Sequence, residues 1–172
     1  MMSAVTATID FSDSLSFHAS QIHKAYGESV MLLERMRRRL LDVIDAELTR
    51  LGRNDVNAAQ AFLLYHIGHS ELTVAELRTR GYYGGSDVSY NLKRLVETGF
   101  LDRQRSERDR RSIVIKLTAK GGEVRDIIDV VYDHQIASVE RVAGVSSGDL
   151  KALNGLLRRL ERFWADQILY QL

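Results

Sequence analysis

The first third of the chain has a strong helical period. Between Gln21 and Leu51, apolar residues recur every three or four positions, which is the spacing of one face of an α-helix. These residues are Val30, Leu33, Leu40, Leu41, Ile44 and Leu48. Gly52 follows, and glycine is typical of a helix end because it adopts the left-handed conformation without strain. A helix of about thirty residues is longer than the globular mean, which favours packing against a second long helix or a partner chain.

Three shorter helical segments are predicted after this glycine. Residues Asn54 to Asn57 can cap a second helix in the segment AAQAFLLYHIGHS, which stops at Gly68. Thr73 caps a third helix, VAELRTR, and Glu76 stands three positions later, as in a capping box. The glycine-rich turn GYYGG leads into a fourth segment, SDVSYNLKRLVETGF, which carries an apolar stripe on one face. The stripe consists of Val88, Leu92, Leu95 and Val96.

A short β-hairpin is predicted after the fourth helix. Residues 100–104 and 112–117 contain apolar and β-branched residues, and Ile113, Ile115 and Leu117 alternate with their neighbours, as in a strand with two different faces. The run RSERDRR lies between the two segments. The predicted hairpin therefore carries a charged tip.

Two more helices are predicted in the last third of the chain. The first runs from about Lys120 to Val142 and breaks at Gly144, and Ser146 or Ser147 can cap the second. The second helix carries more apolar surface than a small domain needs to bury, so we expect it to form a dimer interface. The residues expected there include Leu156, Leu160, Phe163 and Trp164. The alternative is that both long helices fold back on the core of their own chain.

The composition is that of a globular domain without disulfides. With 172 residues, 45% of them hydrophobic and 27% charged, the chain suits one domain or one domain with helical extensions. Cysteine is absent, which excludes disulfides, thiol redox chemistry and cysteine-type metal sites. The sequence has no apolar run near the roughly 20 residues that span a bilayer, and the N-terminus lacks the features of a signal peptide. We therefore expect a cytoplasmic protein that does not bind a membrane.

Positive charge is concentrated in one segment. The whole chain has a formal net charge of only +1. The window from Arg103 to Lys120 contains seven basic residues against two acidic ones, Glu107 and Asp109, which gives about +5 and leaves about −4 for the remainder. Such a segment is a candidate for contact with an anionic partner, although most charge runs simply face water.

The order of the elements predicts a winged helix-turn-helix: mainly α with a small β-hairpin, flanked by long dimerisation helices. In a helix-turn-helix the second helix enters the major groove of DNA, and its first residues contact base edges. The residues expected to face DNA on this helix are Ser86, Ser89, Tyr90 and Lys93. The hairpin tip would reach the neighbouring minor groove, where the negative potential attracts arginine. Double-stranded DNA is therefore the expected partner.

Residues 73–121 resemble the MarR family of bacterial transcription regulators. The resemblance rests on TVAELRTRG, then DVSYNLKRLVETGFLDR, and then SERDRRSIVIKLTAKG. Its most specific part is the Asp-x-Arg pattern at Asp109 and Arg111, followed by a strand with the ending LTAKG. The long helices on both sides match the dimerisation elements of that family. The opening helix also resembles the LdtR-type members from alphaproteobacteria.

The resemblance implies a homodimeric regulator, expected to act as a repressor, that binds an inverted-repeat operator and is released by a small aromatic ligand. By position, Asp109 would hold a wing arginine and Arg111 would enter the minor groove. The wing residues expected at the DNA are Arg103, Arg105, Arg108, Asp109, Arg110 and Arg111. An effector pocket is expected between the DNA-binding module and the dimerisation helices. Its candidate residues are Met31, Arg35, Met36, Tyr65 and His66, although these residues fit a core equally well.

These interpretations divide the chain into four parts. Residues 1–20 form an N-terminal arm and residues 21–56 a first dimerisation helix. Residues 57–121 form the DNA-binding domain, and residues 122–172 contain the C-terminal dimerisation helices.

Enzymatic and metal-binding functions receive little support. The sequence contains no phosphate loop, nucleophile elbow or other catalytic set, so we expect neither an enzyme nor a cofactor. His66 and His69, with Glu71 nearby, have no third ligand at motif spacing, which favours ordinary histidines over a metal site. The alternative function is a winged-helix adaptor that binds a protein through its basic wing without operator specificity.

Overall fold

The computed structural model of the protein describes residues 11–79, 86–105 and 112–170. The chain divides into two units, residues 1–54 and 55–172, and each is described by itself.

The first unit contains one long helix, α1 (Phe11–Arg50). It ends as predicted at Gly52, where φ is +69° and the Arg53 N–H donates to the Leu48 carbonyl at 2.8 Å. It begins earlier than predicted, however, so only part of the segment assigned to an N-terminal arm lies before the helix. No glycine or proline interrupts residues 11–20, so the helix continues there without a readable apolar period.

The second unit contains five helices and three strands in the described residues. In chain order these are α2 (Ala58–Ile67), β1 (Leu72–Thr73), α3 (Val74–Thr79), α4 (Ser86–Glu97), β2 (Leu101–Arg105), β3 (Ile113–Leu117), α5 (Ala119–Ala143) and α6 (Ser147–Tyr170). The strands form an antiparallel sheet in the order β1-β3-β2. This architecture confirms the prediction of a mainly α fold with a small β-hairpin. Strand β1 was not predicted, because two residues are too short for a period of two to be visible.

The helix starts follow local capping chemistry. The Asn57 side chain accepts a hydrogen bond from the Gln60 N–H at 2.9 Å at the start of α2. At α3 the predicted capping box is present, because the Thr73 N–H donates to the Glu76 carboxylate at 2.7 Å. Of the two serines that could cap α6, Ser146 does so, and its hydroxyl donates to Asp149 at 2.6 Å. That hydrogen bond also lowers the pKa of Asp149.

The core of the second unit lies between α2, the sheet and the first half of α5. Its fully buried side chains include Leu63, Leu64, Ile67, Leu77, Leu95, Phe100, Leu101, Val124 and Ile128. The predicted alternation along β3 is wrong in detail, since the neighbours Val114 and Ile115 are both buried while Ile113 and Leu117 are half-buried. Strand β3 is central in the sheet and is contacted by α2, α3 and α5, so both of its faces are covered near the middle.

The last helix, α6, buries none of its described side chains within the chain. Leu156 is 53% exposed and Phe163 is 49% exposed, while Leu160 and Trp164 are half-buried. Leu160 follows Leu156 by four positions, and Phe163 and Trp164 follow Leu160 by three and four, so the four residues share one face of the helix. Across the ranges that the structure describes, no helix combines the length and the apolarity needed to cross a membrane.

Candidate nucleic-acid interface

Helix α4 presents an exposed polar face because its apolar face is packed inward. Leu92 and Leu95 are buried, and α4 contacts strand β2. On the other side Ser89 and Lys93 are exposed, and the Tyr90 side chain is 68% exposed. Three of the four residues predicted to face DNA on this helix are therefore exposed. The fourth, Ser86, is the first residue of the helix, and its side chain is outside the described part of the structure.

A buried amide links α2 to the middle of α4. Gln60 is 8% exposed, and its Oε1 accepts a hydrogen bond from the Asn57 N–H at 3.2 Å. Its Nε2 donates to Asn91 Oδ1 on α4 at 3.3 Å. This hydrogen bond joins α2 to α4 at Asn91, the residue between the exposed Tyr90 and the buried Leu92. Sequence analysis missed Gln60, although the Asn-x-x-Gln spacing of a capping box was visible.

One carboxylate lies on the exposed face of α4. Ser89, Lys93 and Glu97 are spaced by four residues and are all exposed. Lys93 Nζ lies 3.8 Å from Glu97 Oε1, and Arg94 Nη1 lies 3.7 Å from Glu97 Oε2. Glu97 therefore neutralises part of the positive charge that the helix offers to a partner.

The base of the predicted wing is an exposed, charged edge strand. On β2 only Leu101 is buried, and Arg103 and Arg105 are exposed, as expected for DNA-facing residues. A groove of about 280 Å³ lies at the surface between this strand and α4. It is lined by Ser89, Leu92, Lys93, Val96, Glu97, Arg103 and Ile115. The wing tip, with Arg108, Asp109, Arg110 and Arg111, lies outside the described residues.

The two lysines of the basic window form ion pairs with acidic residues of the same chain. Lys116 lies 4.0 Å from a carboxylate oxygen of Glu71. Lys120 lies 3.3 Å from a carboxylate oxygen of Asp55 and 4.0 Å above the Phe100 ring. Each of these lysines thus pairs with a carboxylate of its own chain, so the charge available to a partner comes mainly from the arginines of the window.

The LTAKG ending forms the joint between the wing and α5. The Thr118 hydroxyl donates to the Gly99 carbonyl at 2.8 Å and accepts from the Gly121 N–H at 3.1 Å. Gly121 is buried, and a Cβ at this position would overlap the Phe100 carbonyl oxygen and lie 3.2 Å from its carbon. The glycine is therefore required by the close approach of α5 to the end of α4.

An aromatic cluster contains the two pocket candidates of α2. The Tyr65 and Tyr132 rings meet edge to face at 5.1 Å, and His66 meets Phe62 in the same way at 4.3 Å. Burial raises the pKa of Tyr132, and it raises that of Tyr65 together with the charges of Asp129 and Asp133. Burial lowers the pKa of His66. Tyr132 was not identified from the sequence, because only α2–α5 packing brings it to Tyr65.

The remaining pocket and metal candidates are exposed on α1 or make contacts within the second unit. Met31, Arg35 and Met36 are exposed on α1, in the first unit. His69 contacts the Arg125 guanidinium through its Nδ1 at 2.7 Å, and Arg125 also pairs with Asp126. In the described ranges, no three histidine or acidic side chains are grouped to hold a metal ion.

Comparison with known proteins gives one family match. Residues 54–112 match the model of the MarR family. This segment contains α2, α3, α4, β2 and the predicted wing tip. The match agrees with the resemblance derived from the sequence motifs.

Individual relatives agree with this match. The chain is 46% identical over 99 residues to "Exopolysaccharide II synthesis transcriptional activator ExpG" of Rhizobium meliloti, an alignment that spans 58% of this chain and 51% of the relative. The chain thus spans about half the length of that relative. It also resembles the crystal structure of the transcriptional regulator SlyA, with a TM-score of 0.67 at 19% identity, over 83% of this chain and 98% of that one.

A second solved structure, Streptococcus pneumoniae FabT in complex with DNA, gives a TM-score of 0.62 at 20% identity. It covers 82% of this chain and 98% of the FabT chain. At these identities the structural likeness establishes the fold. The matched family and relatives are transcriptional regulators rather than enzymes, in agreement with the expectation from the sequence.

Proposed function

Because the chain carries a MarR-family domain at residues 54–112, we propose that it is a homodimeric, sequence-specific DNA-binding regulator of transcription. The observation that carries the proposal is the exposed face of α4, with Ser89, Tyr90 and Lys93 open on one side and Leu92 and Leu95 buried on the other. A helix held in this way can enter the major groove and contact base edges.

The edge strand β2 supports a second contact beside the first. Arg103 and Arg105 are exposed on this strand, and they lead directly into the arginine-rich segment of residues 106–111. Arginines at this position would bind the phosphate backbone or enter a narrow minor groove. Within that segment we propose that Arg111 enters the minor groove and that Asp109 holds an arginine in place.

One experiment tests the proposal directly: selection of bound sequences from a pool of random duplex DNA, followed by a salt titration of the selected duplex. We expect an inverted repeat with half-sites about one helical turn, roughly 34–36 Å, apart. With 6–10 phosphate contacts, the affinity should fall by about 10³–10⁵ between roughly 50 and 200 mM salt. Recovery of no preferred sequence, together with no salt-sensitive binding, would contradict the proposal and favour the adaptor.

The dimer is supported by the apolar face of α6. Leu156, Leu160, Phe163 and Trp164 share this face, and none of them is buried within the chain. Contact with the same face of a second copy would remove this surface from water and would give a two-fold interface.

Charges introduced on this face should dissociate the dimer. Replacing Leu156 and Phe163 together with lysine removes two apolar contacts per protomer, each worth about 1.5–3 kcal/mol on full burial. We expect the dimer dissociation constant to rise by at least about a hundredfold, measured by sedimentation velocity over a range of concentrations. The matched control is Ala165→Lys, which adds a charge on another side of the same helix. A double variant that stays as dimeric as the control would remove α6 from the interface.

The ligand response rests on the aromatic cluster around Tyr65. Tyr65, His66 and Tyr132 are half-buried, so they combine apolar ring surface with polar atoms that can bind a small aromatic molecule. A ligand changes DNA affinity only by its differential binding to the two states of the protein. Repeating the DNA selection with small aromatic ligands therefore tests this part of the proposal in the same assay.

The sign of regulation depends on where the operator lies. A dimer that covers the promoter blocks transcription, whereas one bound upstream can assist it. The resemblance favours repression, while the name of the 46% identical relative describes an activator. Mapping the selected sequence relative to the start of transcription distinguishes the two.

A further inference from the structure

We propose that Glu97 limits the affinity of this protein for DNA by holding Lys93 and Arg94 on the recognition helix. The inference rests on the proposed function and adds a role for a residue that neither the family motifs nor the predicted interface assigns. Its basis is the pair of contacts that Glu97 makes, at 3.8 Å to Lys93 and 3.7 Å to Arg94.

The position of Glu97 on the helix makes this charge relevant to DNA. Glu97 follows Ser89 and Lys93 on one exposed stripe of α4, and all three side chains line the groove beside Arg103. A phosphate that approaches Lys93 or Arg103 along this stripe therefore also approaches the Glu97 carboxylate. The Glu97 side chain is 47% exposed, so its carboxylate is accessible from the solvent side, from which DNA would approach.

Two electrostatic effects then act in the same direction. Before DNA binds, Glu97 neutralises part of the charge of Lys93 and Arg94, so a phosphate must compete with its carboxylate for these cations. After binding, an uncompensated carboxylate remains close to the phosphates and repels them. Both effects weaken every DNA complex that uses these two cations, whether or not the sequence is an operator. Glu97 therefore acts as a limit on affinity, rather than as a reader of sequence.

The test is Glu97→Gln, which keeps the size of the side chain and removes its charge. Affinity is measured on a fluorescent random-sequence duplex of about 30 base pairs at about 50 mM salt, where non-specific binding is strong. Exposed ion pairs of this kind change binding by about threefold per protomer, which gives about tenfold tighter binding for a dimer. The matched control is Glu140→Gln, which removes an exposed charge on α5.

A double-mutant cycle identifies the mechanism. In a background of Lys93→Gln and Arg94→Gln, Glu97→Gln should give a smaller gain, because the cations that it releases are absent and only the repulsion of the phosphates by Glu97 is relieved. A gain no larger than that of Glu140→Gln, or a gain of undiminished size in the double background, would overturn the inference while leaving DNA binding intact. If the unsubstituted protein shows no salt-sensitive DNA binding, the proposed function itself fails, and this inference fails with it.

Discussion

Substitution of Gly121 by alanine should destabilise the protein strongly. The new Cβ would overlap the Phe100 carbonyl oxygen and lie 3.3 Å from a Leu117 methyl group. The obstacle is backbone rather than a flexible side chain, so α5 must move away from the end of α4. We expect a loss of about 3 kcal/mol in the free energy of unfolding, because overpacking a closely packed site has a cost of this size.

The neighbouring glycine provides the matched control. A Cβ on Gly122 meets no atom within 4 Å, and the residue lies in the first turns of α5. Because alanine has a higher helix propensity than glycine, Gly122→Ala should stabilise the protein by up to about 1 kcal/mol. Thermal unfolding of both variants at one protein concentration checks the prediction, since association makes the midpoint depend on concentration. Equal midpoints for the two variants would show that α5 does not depend on a close contact at Gly121.

Reversal of the charge at Lys93 should nearly abolish DNA binding. Lys93 is exposed on α4 and lies in the groove beside Arg103, on the side proposed to face the major groove. A glutamate there removes a contact worth about 1–3 kcal/mol and adds repulsion from the phosphates. With one such change in each protomer of a dimer, we expect the affinity for the selected duplex to fall by at least about a hundredfold.

A control must separate the effect of the changed net charge on DNA binding from the effect of the position of Lys93. Lys24→Glu alters the net charge by the same amount at an exposed position on α1 and should weaken binding far less. Fluorescence anisotropy on the selected duplex compares the two variants, and circular dichroism verifies that both are folded. If Lys24→Glu and Lys93→Glu weaken binding equally, α4 contributes only through the net charge, and its assignment as the recognition helix is wrong.

The predictable part of this fold is the part that depends on neighbours in sequence. Thr73 and Glu76 form their capping box through contacts between residues three apart, and Gly52 and Gly144 have the positive φ that ends α1 and α5. The apolar stripe of α4 was read from its spacing, and Leu92 and Leu95 of that stripe are buried. Such features follow from the geometry of one helix, so no knowledge of the rest of the chain is required.

The candidate site was predictable to a similar extent. Ser89, Tyr90 and Lys93 are exposed where the pattern placed them, because polar residues opposite an apolar stripe must face away from the core. Arg103 and Arg105 are exposed on the edge strand β2, as expected. Their contact with DNA stays a prediction. The role of Lys116 and Lys120 could not be read in the same way, since their partners Glu71 and Asp55 lie far away in sequence.

The sequence by itself thus determined the order of the helices and of the two hairpin strands, most of the helix ends and the polar face of α4, because each depends on local spacing and capping. Only the tertiary structure decided which residues of different helices and strands contact each other. Gln60 reaches Asn91 over 31 positions of sequence. Strand β1 exists because it pairs with β3, and Gly121 is required because α5 approaches Phe100. These contacts join residues that a local pattern cannot relate, since their proximity is produced by packing of the whole domain around one core.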